Sequence, residues 1–311
     1  MSKIQKALDA LRESKGDQTS GTGENGDVEF LLRRTRARKR VGSSASADET
    51  GRMRPFDDSN ETTPKHTVEI RISDLEKSGL SPNKEDREII AQQFRRIKRP
   101  ILQAAFEVDL PTGGNANIVL MASALPGAGK SFCVYNLAQS IAIERDVGAM
   151  LVDADVLKRG ISQNFGLQDH IGLIDYLLDP TIELADILVA TDVNDIVVIP
   201  AGRKHPQATE LLASRRMQDL VALLSTQYQS RAVIFDTPPL LITNEAQVLA
   251  ENMGQIVLVI EARVSSQESL IKALGLLDRQ KPINAILNKS RNAAGEGYQS
   301  DDYGYYPYPG K

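Results

Sequence analysis

In "SALPGAGKSF", Ala124, Gly129, Lys130 and Ser131 stand at the spacing of a phosphate loop, with alanine at the first position. Backbone N–H groups of such a loop wrap phosphate oxygens, which makes Pro126, Gly127, Ala128, Gly129, Lys130, Ser131 and Phe132 the candidate nucleotide-binding residues. Lys130 would neutralise the β and γ phosphates and Ser131 would ligand Mg²⁺. The helix that opens there adds its positive end. Further on, "MLVDADVLKRG" leaves Asp153 and Asp155 after an apolar run, and "AVIFDTPPL" leaves Asp236. A single strand-end aspartate often only caps the next helix. Three of them together with a phosphate loop point to phosphate chemistry. Cys133, one turn into the helix, reads as a small packed residue.

These residues need a scaffold that brings strand ends together. "NIVLMAS", "GAMLVD", "DIVVIP", "RAVIFD", "QIVLVI" and "NAILN" are short, rich in Val and Ile, and mostly separated by stretches of helical periodicity. Runs without strict alternation suit strands buried on both faces of a parallel sheet. The fold class is therefore α/β, a doubly wound, mostly parallel P-loop sheet whose ligands gather at the carboxyl ends of the strands. Upstream, "HTVEIRIS" alternates Val68, Ile70 and Ile72 and predicts one short edge strand.

Composition excludes several classes. With 41% hydrophobic and 25% charged residues the chain is ordinary globular material. A net charge of -4 gives no global field for nucleic acid. One cysteine and 3 histidines argue against disulfides and zinc clusters and fit a reducing cytosol. No run is long and apolar enough to span a bilayer, and the start lacks the apolar core of a signal peptide.

The chain divides into four parts. Residues 1–15 place Ile4, Ala7, Leu8 and Leu11 at helical spacing. An amphipathic helix this short needs a partner surface, with another protein the first reading and a membrane surface or its own domain the alternatives. Residues 16–83 read as a flexible linker carrying the basic run "RRTRARKR" and the short strand. Residues 84–291 form the P-loop domain. Residues 292–311 hold Tyr298, Tyr303, Tyr305, Tyr306 and Tyr308, five of the 8 tyrosines. Gly304, Pro307 and Pro309 interrupt them and rule out a core helix or strand.

"PGAGKS", "LVDAD" and "VIFDTPP" resemble the Walker A, Walker A′ and Walker B motifs of the bacterial tyrosine kinases, the autokinases attached to exopolysaccharide production and export. "PAGRKHPQATELLASRRM" is similar to that family's loop and helix after the third strand, and "ILNK" resembles its last core strand. The start "MSKIQKAL" and the tyrosine tail further resemble the subgroup linked to exosortase-associated polysaccharide clusters. Two departures from the family and one difference from its siblings stand out. Leu157 occupies the place of the family's usual arginine, which moves a phosphate or substrate contact to Lys158. The helix "AQQFRRIKRP" carries Gln92, Arg95 and Lys98 where the subunit-contact pattern is Glu-x-x-Arg-x-x-Arg, which weakens the expected intersubunit ion pair. Leu125 stands where the partitioning ATPases carry an extra lysine, which favours the kinase branch.

The resemblance implies a deviant-Walker ATP- and Mg²⁺-dependent autokinase. Lys130, Asp153, Asp155 and Asp236 would be catalytic, with Asp153 receiving the tyrosine proton. Ser131, Asp155 and Asp236 would hold the metal, Asn288 would lie near the adenine, and the tail tyrosines would be the phosphoacceptors in a neighbouring subunit's site. It further implies a cytoplasmic protein held peripherally at the inner membrane by a membrane-bound polysaccharide co-polymerase acting as activator. A homo-oligomer and an opposing phosphotyrosine phosphatase complete the set. The alternatives are a partitioning-type ATPase switch and a nucleotide-binding scaffold without turnover.

Overall fold

The computed structural model describes residues 61–106 and 115–290. The amphipathic helix expected of residues 1–15, the basic run and the tail tyrosines lie outside the described residues. The strands are β1 (His66–Val68), β2 (Ile118–Ser123), β3 (Gly148–Asp153), β4 (Val189–Thr191), β5 (Ile196–Ile199), β6 (Arg231–Asp236), β7 (Gln255–Glu261) and β8 (Ile283–Asn288). They form one eight-stranded sheet in the order β1-β4-β5-β3-β6-β2-β7-β8. All pairings are parallel except β4 with β5. β2, β3 and β5 are buried at nearly every position, which is why their sequences run apolar without alternation.

Each face of the sheet is covered. On one lie α1 (Ile72–Lys77), α2 (Arg87–Phe106), α3 (Lys130–Ala142) and α4 (Gly160–Asn164). There Leu75, Phe94, Ile101, Leu137, Ile141 and Ile161 pack on Val119, Met121, Leu151 and Ile234. On the other lie α5 (Leu173–Leu178), α6 (Leu184–Ile187), α7 (Ala208–Leu212), α8 (Arg215–Gln227), α9 (Glu245–Asn252) and α10 (Gln267–Gly275). Their buried residues, among them Leu173, Met217, Leu224 and Leu249, pack on Leu120, Val152 and Phe235. The two periodicities thus meet in a three-layer, doubly wound architecture.

The folded unit takes in the chain from Glu61, ahead of Lys84 where the sequence reading begins the domain. β1 adds to the sheet beside β4, while Ile70, Leu75 and Leu80 are buried in the core. Glu61 itself pairs with Arg231 at 2.9 Å. The strand read from "HTVEIRIS" is shorter than its alternation: it stops at Val68, the Ile70 N–H donates to the Asp192 carboxylate at 2.9 Å, and Ile72 opens a helix. No helix of the described residues is long and apolar enough to cross a membrane.

Candidate active site

The phosphate loop joins β2 to α3, and its glycines are there for backbone reasons. Gly127 and Gly129 have φ of 86° and 83°, a region closed to most L-residues. A Cβ on Gly129 would also come within 2.2 Å of the Asn288 side-chain nitrogen. That amide donates to the Ala128 carbonyl at 2.8 Å, and the Lys289 ammonium donates to the Gly127 carbonyl at 2.6 Å while pairing with Glu261 at 3.0 Å. The end of β8 therefore braces the loop from behind, holding two carbonyls that a bound anion would repel. Asn288 is placed on the loop itself. Pro126 and Gly127 are exposed, and the Phe132 ring packs against the core, edge-on to Phe94 at 6.3 Å.

The carboxylates are set by sheet register. Asp153 and Asp236 are direct partners on β3 and β6, on the face that α3 covers. Asp236 is fully buried; one of its oxygens accepts from the Ser131 hydroxyl at 2.6 Å, and the other lies 3.5 Å from the Lys130 ammonium. Asp153, also fully buried, accepts from both the backbone N–H and the hydroxyl of Ser162, at 2.8 and 2.7 Å, through a single oxygen. Its other oxygen has no partner. Burial, and next the Asp236 charge, push the Asp153 carboxyl up to about 7. Asp155, two residues past the strand, accepts from the Lys158 N–H at 3.1 Å and is held above the usual carboxylate range by burial first.

Lys130, Ser131, Asp153, Asp155 and Asp236 are therefore gathered at one strand edge. Leu157 and Lys158 point outward, both exposed, while Arg159 adopts a left-handed backbone with φ of 53° and donates to the Gly202 carbonyl at 2.8 Å. Burial pushes the Cys133 thiol up to about 12, so it is a packed residue. Sequence reasoning passed over two residues. Ser162 sits nine positions past Asp153 with no motif to mark it, and its hydroxyl in turn accepts from the Ala201 N–H at 2.9 Å. Lys289 is the residue after Asn288 in "ILNK", and only the loop's proximity gives it a task.

Buried serine and aspartate oxygens beside a lysine make a hard-oxygen, phosphate-handling edge. Among the described residues no group of three or more His, Cys, Asp or Glu side chains is arranged to hold a metal by itself. No protein-family model matches the sequence. Tyrosine-protein kinase YwqD of Bacillus subtilis is 30% identical over 224 residues, covering 71% of this chain and 88% of YwqD. Tyrosine-protein kinase Wzc of Salmonella typhimurium is 29% identical over 193 residues, and there the match spans about a quarter, 26%, of the longer protein. The kinase domain of Escherichia coli tyrosine kinase ETK superposes with a TM-score of 0.53 at 26% identity, over 66% of this chain and 79% of that domain. The loop, the paired strand-end aspartates and this likeness to YwqD agree, and the chain belongs to the bacterial tyrosine kinase family.

Proposed function

We propose that this chain is a Mg²⁺·ATP-dependent protein-tyrosine autokinase whose acceptors are Tyr298, Tyr303, Tyr305, Tyr306 and Tyr308. The observation that supports it most is Asp153: one oxygen is fixed by Ser162 and the other is buried, unpartnered, beside the phosphate loop. A tyrosine hydroxyl has a pKa of about 10, so attack at neutral pH needs a group to take its proton. The free Asp153 oxygen takes it as the tyrosine oxygen bonds to the γ-phosphorus. The bond from that phosphorus to the bridging oxygen breaks, and ADP leaves with the electron pair. Lys130 offsets the charge that develops on the phosphates, and the loop N–H groups orient them.

Mg²⁺ fits the residues present, because this ion takes one or two protein oxygens and completes its shell with phosphate and water. Ser131 and Asp236 would hold it, with Asp155 directly or through water, and it supplies charge neutralisation on the phosphates. Asn288 is assigned to the adenine side of the same loop. The activity would regulate the production, export or chain length of an exopolysaccharide. A membrane-bound co-polymerase would recruit and activate the chain, which is cytoplasmic and works as a homo-oligomer, and a phosphotyrosine phosphatase would reset the tail.

The test is incubation of the purified chain with Mg²⁺ and ATP, read by phosphotyrosine immunoblot and mass spectrometry. Phosphotyrosine in residues 298–308 that disappears in Lys130→Met, with an unchanged circular dichroism spectrum, is the expected result. Phosphate release without phosphotyrosine would assign the chain to a switch ATPase instead.

A further inference from the structure

β7 outruns β2 at the edge where the phosphate loop begins. Ser123, the last residue of β2, pairs with Val259, and β7 continues past it to Glu261. The Glu261 carboxylate is thereby carried onto the flank of the loop, where a Cβ on Gly127 would stand 3.9 Å from Oε2. The backbone around it is closed: the Glu261 N–H donates to the Ser265 hydroxyl and the Ser265 N–H donates to the Glu261 carbonyl, both at 3.0 Å. With 17% of its side chain exposed, this carboxylate is little screened by water. Asp236 lies across the loop on β6, the other neighbour of β2, and has Lys130, Ser131 and the proposed Mg²⁺ to face. Glu261 faces none of these, and a carboxylate on this flank repels the phosphates the loop is built to hold.

Lys289 meets that charge. Its ammonium lies 3.0 Å from Glu261 Oε1 and donates to the Gly127 carbonyl at 2.6 Å, so one cation engages both the acid and the loop. Sheet register brings it there. Glu261 pairs with Asn288 across β7 and β8, and the next residue, Lys289, leaves the strand with a φ of 56°. A left-handed backbone is unfavourable for lysine and persists where its surroundings hold it. Without Lys289, Glu261 would have no ion-pair partner among the described residues.

We propose that Lys289 is a positioning residue of the nucleotide site: by pairing with Glu261 it cancels a carboxylate that would otherwise repel the phosphates, and so sets the affinity for nucleoside di- and triphosphates without taking part in phosphoryl transfer. This role rests on the nucleotide-binding reading of the loop. Calorimetric titration of the full chain with Mg²⁺·ATP tests it. Lys289→Met should weaken binding about tenfold or more. Adding Glu261→Gln should bring the affinity back to within about threefold of wild type, because the two side chains act as a coupled pair. Lys289→Arg keeps the charge and should recover most of the loss. The gap between wild type and Lys289→Met should narrow as salt is raised, since screening weakens the repulsion between Glu261 and phosphate. Turnover at saturating ATP should hold while KM for ATP rises. A fault in folding would appear as a smaller fraction of competent sites in the titration, not as weaker binding by those that remain. A double variant as weak as Lys289→Met, or a gap indifferent to salt, would overturn the proposal and leave Lys289 as a mere support for the Gly127 carbonyl. Wild-type protein that binds ATP but forms no phosphotyrosine would count against the kinase reading alone, and the affinities would still decide the role of Lys289. Wild-type protein that binds no nucleotide would overturn both.

Discussion

Asp153 and Asp236 sit directly opposite one another on adjacent parallel strands, both fully buried and on the same face of the sheet. The environment divides their tasks. Lys130 and Ser131 engage Asp236, while Asp153 has only Ser162 and keeps one oxygen free. Burial first, and then the neighbouring Asp236 charge, raise the Asp153 carboxyl.

Asp153→Asn should therefore separate chemistry from binding. Loss of a proton acceptor costs about 100-fold or more in phosphoryl transfer. Nucleotide affinity, which rests on the loop, should hold. Single-turnover transfer against equilibrium binding of a fluorescent ATP analogue checks this, and equal losses in both would reassign Asp153 to a structural role. The same variant has a signature in stability without nucleotide. The carboxyl is raised from 3.8 to about 7 in the folded chain, so the unfolded chain gives up its proton first and the wild type loses stability as pH rises between those values. Asparagine has no such term. The melting temperature of the variant relative to wild type should be higher at pH 8 than at pH 4.

Ser162→Ala tests the positioning of Asp153. Its hydroxyl joins the Asp153 carboxylate to the Ala201 N–H, so its removal leaves the carboxylate held by the backbone N–H of residue 162 alone, more loosely oriented, and leaves the Ala201 N–H without its acceptor. Turnover should fall about tenfold with little change in KM for ATP, as expected when a group aligned for the transition state is loosened. Threonine, which keeps the hydroxyl, should recover most of the rate. A rise in KM with constant turnover would place Ser162 in nucleotide binding instead.

Much of this arrangement was legible in the sequence. The six apolar runs are strands, and the phosphate-loop spacing and the strand-end aspartates sit where their order places them. β4 escaped because "VAT" is three residues long, runs antiparallel to β5 and carries no periodicity that a reader can count. Ile72 misled because a residue one step past a strand can keep the alternation while the backbone has already turned into α1. Ser162 and Lys289 were silent for a different reason. Each has its role from a neighbour distant in sequence or held by the fold, and neither residue type is rare enough to stand out.

Gly129→Ala examines the brace behind the loop. The added methyl meets both the positive φ and the Asn288 amide, so the loop must shift or the Asn288 bond to Ala128 must break. A cost of about 1–3 kcal/mol in stability is expected from the backbone alone. ATP affinity should fall more than the stability loss accounts for. Asn288→Ala in the same chain relieves the contact but not the φ, so the double variant should recover stability in part and affinity less. Calorimetric titration with ATP and thermal denaturation, run on both variants, distinguish these terms.

Lys98 bears on assembly. Its place in "AQQFRRIKRP" would put it on a subunit-contact face with Gln92 and Arg95, yet Lys98 is buried while the other two are exposed. Its ammonium donates to the Ser140 carbonyl at the end of α3 and pairs with Glu144 at 2.6 Å. Lys98 thus ties α2 to the helix that carries the phosphate loop, and any contact made through this face depends on Gln92, Arg95 and their neighbours. Lys98→Ala leaves a buried carbonyl without its donor, a loss of about 1–3 kcal/mol. The Glu144 pair, half exposed, adds little because solvent already screens it. Arg95→Glu should leave the melting temperature within about a degree, as surface changes usually do, and reduce any oligomer seen by light scattering at equal concentration. If Lys98→Ala dissociated the oligomer without lowering the melting temperature, its side chain would have to leave the α2–α3 contact on assembly, and the inward assignment would be wrong.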